Sequence, residues 1–395
     1  MAGPPPFDER LVSLANWQDP PFNRWSFQHI RDLIPTARIE RGDGPVSRLA
    51  RAERDLTGVR FRDSGREMTV GQLLDRTWTD GFLVLHGGRI VFEEYRNGMR
   101  PDTAHLLMSV SKSVVAAVAG ILVGRGALDP GAPASDIVPE LGRTSFRGAT
   151  VQHLLDMRAG TRFDETYEDP NADVRVYEQV YLWRPRSGRR LPADALSYFA
   201  TLRNDGEHGG PFRYRSILTD VLGWVVERAG GARLHELIAR ELWGPMGAEF
   251  DADITVDAHG NPMADGGISA TLRDLGRFGQ LYLERGMRGR RRIVPKDWID
   301  DTVRGAPDGP RAFVEGDDPP GFPRGTHYRN CWWIYDASSP LFAASGINGQ
   351  HIFVHGASQT VVVKLSTWPV ALSPSLRRAL VAAVLALGAA LSSEP

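Results

Sequence analysis

The chain has 395 residues, 42% hydrophobic and 24% charged, a globular composition long enough for one large domain or two moderate ones. Its 47 basic side chains almost balance 48 acidic ones, and a net charge of −1 leaves no electrostatic footprint for nucleic acid or an anionic membrane. A lone cysteine, Cys331, excludes a disulfide framework and a cysteine metal cluster, and its neighbours in NCWWIYD point to a buried thiol.

The opening MAGPPPFDER has no charged segment followed by an apolar run, so no secretory signal is expected and a cytoplasmic protein is. Residues 1–50 are rich in proline and aromatics and are expected to wrap a larger body. Strands are expected at Gly81–Leu85 and Ile90–Tyr95, joined by a hairpin turn at His86-Gly87-Gly88-Arg89. A helix starts near Ser109 and runs to about Gly124. It carries no charge between Lys112 and Arg125, so it is apolar all round and must be buried.

Residues 126–285 read as mostly helical, with helical periodicity at Thr150–Arg158 and Ile217–Arg228. Thr271-Leu272-Arg273-Asp274 resembles a capping box opening a helix toward Arg285. The arginines between Arg288 and Arg292 lie beside glycines and suit a solvated turn. Strands return at Asn330–Tyr335, His351–Val354 and Thr360–Ser366, and a last helix follows from Ser373. Its apolar run, Ala379–Leu391, is too short to span a bilayer and suits a buried helix. The expected class is α+β. Residues 1–125 and 286–395 form a five-stranded antiparallel sheet covered by helices, and 126–285 form a mostly helical second lobe inserted between its strands.

Only three of the basic residues are lysines, and one of them, Lys112, stands three residues after Ser109 in HLLMSVSKSVVAAVAGILV. A Ser-x-x-Lys at the start of an apolar helix is the signature of an activated serine, because i and i+3 share a helix face. Lysine can give up its proton when desolvated and arginine cannot, and in so dry a helix a depressed pKa is expected. Chance alone supplies roughly 0.17 such pairs at this composition, so the pair needs its context. Ser111 and Ser113 are candidates by type but have no lysine three residues on.

Serine hydrolases of this kind need a third polar group to move protons to the leaving group, and Tyr214, entering a helix after Gly209-Gly210, fits. Ala344-Ser345-Gly346-Ile347-Asn348-Gly349 precedes a strand expected at a sheet edge, where small residues let a substrate approach. A backbone N–H there and that of Ser109 could form an oxyanion hole. Taken alone, a packed tyrosine and an ordinary glycine turn are the commoner readings. No Gly-x-Ser-x-Gly elbow, Walker loop or dinucleotide pattern is present, His235-Glu236 lacks a zincin's second histidine, and the ten histidines are scattered.

With these motifs the chain resembles the serine β-lactamase and penicillin-recognising superfamily, on its class C side. Within it the chain is similar to the 6-aminohexanoate-dimer hydrolases, which cleave linear amides of nylon oligomers. The resemblance runs from NWQDPPFNRWSF (Asn16–Phe27) through HLLMSVSKS, VPEL, DVLGWVVER and DGGISATLRDL to VVVKLSTWP. It implies a serine hydrolase without metal or cofactor, with Ser109 as nucleophile and Lys112 as its general base. Tyr214 matches the tyrosine of the Tyr-x-Asn motif, and Ile347 the oxyanion position after the motif usually written Lys-Thr-Gly. Tyr167, in DETYEDPNAD, matches a loop tyrosine that closes over the substrate and helps the leaving amine. Glu178 lies near a position where an acid can hold the substrate's ammonium. Asp265 stands where relatives can have asparagine, so substrate contacts there are expected to differ in kind.

Two departures bear on specificity. Tyr214-Arg215-Ser216 has serine for the motif's asparagine, and Ala344-Ser345-Gly346 lacks the basic residue that holds an anionic terminus. β-Lactamase and carboxypeptidase activities are therefore disfavoured. The expected substrates are short linear amides, 6-aminohexanoate oligomers first, and simple esters. A carboxylesterase and a non-catalytic binding protein on the same scaffold are the alternatives. A homodimer is the family expectation.

Overall fold

Two consecutive glycines set the sheet. Gly87 and Gly88 have φ of 54° and 75°, the left-handed pair that a two-residue hairpin turn demands. They join strands Thr79–His86 and Arg89–Tyr95, with His86 opposite Arg89. Strand Thr360–Ser366 pairs on the other side, Val362 opposite Val84. These central strands are buried on both faces, as strands covered on both sides must be.

The computed structural model describes residues 11–187, 190–316, 322–336, 338 and 340–393; the opening residues 1–10 lie outside them. Among the described residues the main sheet has eight strands rather than five. Its order is His327–Arg329, Trp332–Asp336, Leu341–Gly346, Gln350–His355, Thr360–Ser366, Thr79–His86, Arg89–Tyr95 and Ala50–Arg51. All neighbours are antiparallel except the last pair. The five expected strands are present. Two of the added ones are only two and three residues long, too short to carry a period. The third, Leu341–Gly346, ends in small residues that read as a turn. It is nevertheless an internal strand, with Ala343 opposite both Trp333 and Phe353. The small-residue segment thus closes an internal strand, not the approach to an edge.

Helix Val110–Gly124 is buried from Val110 to Leu122, as its composition requires. Residues 126–285 supply helices such as Val151–Leu155, Asp173–Val180 and Ile217–Gly230. The end of this segment turns back to strand. Ala252–Thr255 and Ile268–Ala270 join Thr36–Ile39 and His105–Leu106 in a four-stranded sheet. Helix Leu272–Leu283 then lies on the main sheet. Its N-cap is half the expected box: Thr271 accepts from the Asp274 N–H, but the Asp274 carboxylate is taken by the N–H groups of Glu249 and Phe250.

The last helix, Pro374–Ser392, is long and apolar enough to cross a membrane by length and composition. Ala379, Leu380, Val384, Leu387 and Leu391 are nevertheless buried in the common core, the packing of a core helix. The N-terminal segment wraps as expected. Trp17 is buried, donates from its indole to the Trp183 carbonyl at 2.6 Å and meets that ring edge-on.

Candidate active site

Ser109 is the N-cap of the buried helix, and the backbone bends sharply to put it there: Met108 has φ of 48°. Ile268 clamps the bend on both sides, its carbonyl taking the Leu107 N–H at 2.8 Å and its N–H donating to Ser111 Oγ at 3.1 Å. Ser113 Oγ donates to the Cys331 carbonyl at 2.7 Å. Ser111 and Ser113 are therefore spent on structure. Cys331 is buried, and burial pushes its thiol up to about 12.

Lys112 has 1% of its surface exposed, and its ammonium has three acceptors: Ser109 Oγ at 2.9 Å, Ser216 Oγ at 3.0 Å and the Asp265 carbonyl at 2.7 Å. The expected depressed pKa does not hold. Burial alone would lower it, but Tyr214, Asp265, Glu165 and Asp220 surround the amine and hold it above its ordinary value. The resting site therefore contains an ammonium.

Tyr214 brings its ring 5.4 Å from Lys112 Nζ and stacks on Trp333 at 5.5 Å. Burial pushes its phenol up, with Lys112 acting against that rise and Glu165 adding to it. Ser109, Tyr214, Tyr167 and Ile347 together line a cavity of about 240 Å³, with Trp333, Trp368, Leu372 and Arg377 among its walls. Gly346 explains how Ile347 comes so near Ser109. A Cβ on Gly346 would stand 2.6 Å from the Leu107 carbonyl and 3.0 Å from the Ser109 nitrogen.

Glu178 and Asp265 are placed differently from the expectation. Glu178 is buried and bound by Arg175 at 2.8 Å, Arg184 at 2.5 Å and Gln18 at 3.2 Å. A carboxylate shared by two guanidiniums has little charge left for a substrate ammonium, and it does not line the cavity. It acts on the loop instead, since Arg175 also donates to the Tyr167 carbonyl at 2.7 Å. Asp265 meets the site through its carbonyl. Its carboxyl is buried behind the lysine and pushed up to about 6 by burial, against the pull of Lys112.

Sequence reasoning missed Glu165. Its Oε1 accepts from the Tyr167 hydroxyl at 2.6 Å and from Ser216 Oγ at 2.5 Å, and its Oε2 accepts from the Ser216 N–H at 2.6 Å. The signal lay in the DETYEDP segment, two residues before Tyr167. Arg377 was also missed. It brings a guanidinium to the cavity from the last helix, where the third motif has lost its own cation. Among the described residues no three His, Cys, Asp or Glu side chains are placed to hold a metal. A wider cleft of about 840 Å³, lined in part by Arg304, His327 and His355, has no serine, cysteine or lysine among the described residues of its walls.

A hydroxyl, an ammonium and a phenol meeting at the floor of an apolar cavity are equipped for acyl transfer. The family model described as Beta-lactamase matches residues 66–386. A 6-aminohexanoate-dimer hydrolase of Paenarthrobacter ureafaciens is 38% identical over 362 residues, covering 90% of this chain and 88% of the relative. Esterase EstB of Burkholderia gladioli is 31% identical over 163 residues, 38% of each chain. A solved Bacillus anthracis structure, provisionally named a 6-aminohexanoate-dimer hydrolase, superposes with a TM-score of 0.88 at 25% identity, covering 98% of this chain and 99% of that one. Fold, family match and relatives agree, and the chain belongs to the beta-lactamase family, alongside 6-aminohexanoate-dimer hydrolase.

Proposed function

We propose that this protein hydrolyses short linear amides of the 6-aminohexanoate-dimer type through an acyl-enzyme on Ser109, and simple esters by the same route. The observation that carries the reading is the 2.9 Å contact of Lys112 Nζ with Ser109 Oγ at the floor of the cavity. The relative from Paenarthrobacter ureafaciens supports the substrate class.

Ser109 attacks the carbonyl as its proton passes to Lys112, which releases one of its own to Ser216. The backbone N–H groups of Ser109 and Ile347 are the oxyanion donors of this reading. In this reading Tyr214 and Tyr167, both in the cavity lining, protonate the departing nitrogen. Water then releases the acyl group through the same residues. The walls formed by Trp333, Ile347, Trp368 and Leu372 suit a methylene chain. Ser109→Ala is expected to abolish turnover of the dimer and of p-nitrophenyl esters without lowering the melting temperature. Retained turnover by the purified variant would sink the proposal.

Carboxylesterase is the second reading, favoured by the partial match to Esterase EstB. Tyr167→Phe separates the two: loss of amidase with esterase spared supports the amide assignment. A homodimer and a cytoplasmic setting belong to the same proposal, and light scattering and cell fractionation test them.

A further inference from the structure

An unbroken hydrogen-bonded chain leads from the nucleophile to the loop that covers the cavity. Ser109 Oγ meets Lys112 Nζ at 2.9 Å, and Lys112 Nζ meets Ser216 Oγ at 3.0 Å. Ser216 Oγ meets Glu165 Oε1 at 2.5 Å, and the Tyr167 hydroxyl meets the same oxygen at 2.6 Å. Glu165 and Tyr167 both line the cavity. Ser216 accepts from Lys112 and donates to Glu165, and Lys112 can accept a proton once it has released one. An ammonium at Lys112 takes the serine's proton only by first passing one on, and the chain ends on the Glu165 carboxyl group.

We propose that Glu165 is the terminal proton store of the site and returns the serine's proton, through Tyr167, to the leaving group. The proposal rests on the serine-hydrolase reading above. In the attack the bond from Ser109 Oγ to the carbonyl carbon forms, and the carbonyl π pair moves to oxygen. The Ser216 proton goes to Glu165 and one Lys112 proton goes to Ser216, and the amine so freed takes the Ser109 proton as the bond forms. Lys112 is again an ammonium, Ser216 a hydroxyl, and Glu165 a carboxylic acid. On collapse the oxygen pair re-forms the carbonyl and the C–N bond breaks, its electron pair staying on nitrogen. That nitrogen takes the Tyr167 proton while Glu165 replaces it, reversing the direction of their hydrogen bond. The net transfer is one proton from serine to amine.

This role separates from simple support of the loop by its dependence on the leaving group. Glu165→Gln in the full chain, which cannot store the proton, is assayed on one acyl group carrying p-nitrophenol, ethanol or an alkyl amine as leaving group. The store is needed already in the attack, so a loss in kcat/KM on the order of 100-fold is expected for the p-nitrophenyl ester, larger for the ethyl ester and larger again for the amide, where the returned proton is needed as well. A loss under about tenfold for the p-nitrophenyl ester overturns the proposal, because Ser109 is then activated without Glu165, and so does a loss that does not grow along the series, because a misplaced loop would slow every substrate alike. Should Glu165→Gln not fold, Ser216→Ala interrupts the same chain and must show the same slope. Wild-type protein that turns over no member of the series overturns the hydrolase reading as well.

Discussion

Gly346→Ala tests the approach of the third-motif strand to the nucleophile. The new methyl would stand 2.6 Å from the Leu107 carbonyl oxygen, 3.0 Å from Met108 Cβ and 3.0 Å from the Ser109 nitrogen, where ordinary contact begins near 3.4 Å. Two of those atoms are backbone and cannot rotate away. The gap between the strand end and the Ser109 bend must therefore open by roughly 0.8 Å. Misplacement by about 1 Å costs on the order of 100-fold in rate, as does loss of one oxyanion donor. A fall in kcat of roughly 10- to 100-fold is expected for esters and amides alike, since both develop the same oxyanion. Overpacking adds about 1–3 kcal/mol of destabilisation, so the melting temperature should fall by several degrees. The assay is the acylation burst with a p-nitrophenyl ester beside a thermal melt. Gly142→Ala is the control, since its Cβ would meet only Ser135 Cβ at 4.0 Å. Wild-type kcat in Gly346→Ala would refute the close approach and with it the placing of Ile347 beside Ser109.

The other predictions follow from the electrostatics. Arg377→Ala should raise KM on the order of tenfold for substrates bearing a carboxylate and leave neutral esters nearly untouched, as loss of a charge-assisted contact requires; an equal rise for both would remove Arg377 from anion recognition. Glu178→Gln should lower the melting temperature, by about 1–3 kcal/mol of stability, because it leaves Arg175 and Arg184 without their shared counterion. If Glu178 instead held a substrate ammonium, KM would rise for the dimer alone and the melt would not move. Lys364 is buried and its pKa is depressed to about 7, burial being the main cause. Between pH 7 and 10 the unfolded chain holds a proton there that the folded chain lacks, so stability rises with pH across that window. Lys364→Met should flatten the rise, read as melting temperature against pH, and parallel wild-type and variant curves would contradict the assignment.

The fold was legible wherever a local pattern had a physical cause. Gly87-Gly88 demanded a left-handed hairpin turn, and an uncharged stretch after Lys112 demanded burial; both are seen. Leu341–Gly346 was illegible because its strand character comes from neighbours 10 residues away on either side, not from its own alternation. At the site, the Ser109–Lys112 spacing foretold a contact that one helical turn guarantees. The charge of Lys112 could not be read in the same way. It depends on Glu165, Asp220 and Asp265, residues 53 to 153 positions distant that only the fold assembles. The surroundings of Glu178 were only partly legible, since Arg175 and Arg184 are near in sequence but Gln18 is 160 positions away.

The substitution that looked like a loss, serine for asparagine at position 216, is where the charges resolve. Asp220 and Asp265 both lie behind Lys112, and burial raises both carboxyls, Asp220 further through its neighbour Asp265. Asp220 Oδ2 and Asp265 Oδ1 find no hydrogen-bond partner among the described residues. Glu165 is the carboxyl group that hydrogen bonds join to the ammonium. Between the two stands Ser216 Oγ, 3.0 Å from Lys112 Nζ and 2.5 Å from Glu165 Oε1. An asparagine could bridge the same charges, but with separate oxygen and nitrogen atoms, so a proton arriving on one is not released from the other. A hydroxyl accepts and donates at a single atom. The arginine-rich chain keeps a lysine at 112 on the same grounds: the position needs a cation that can exchange its protons.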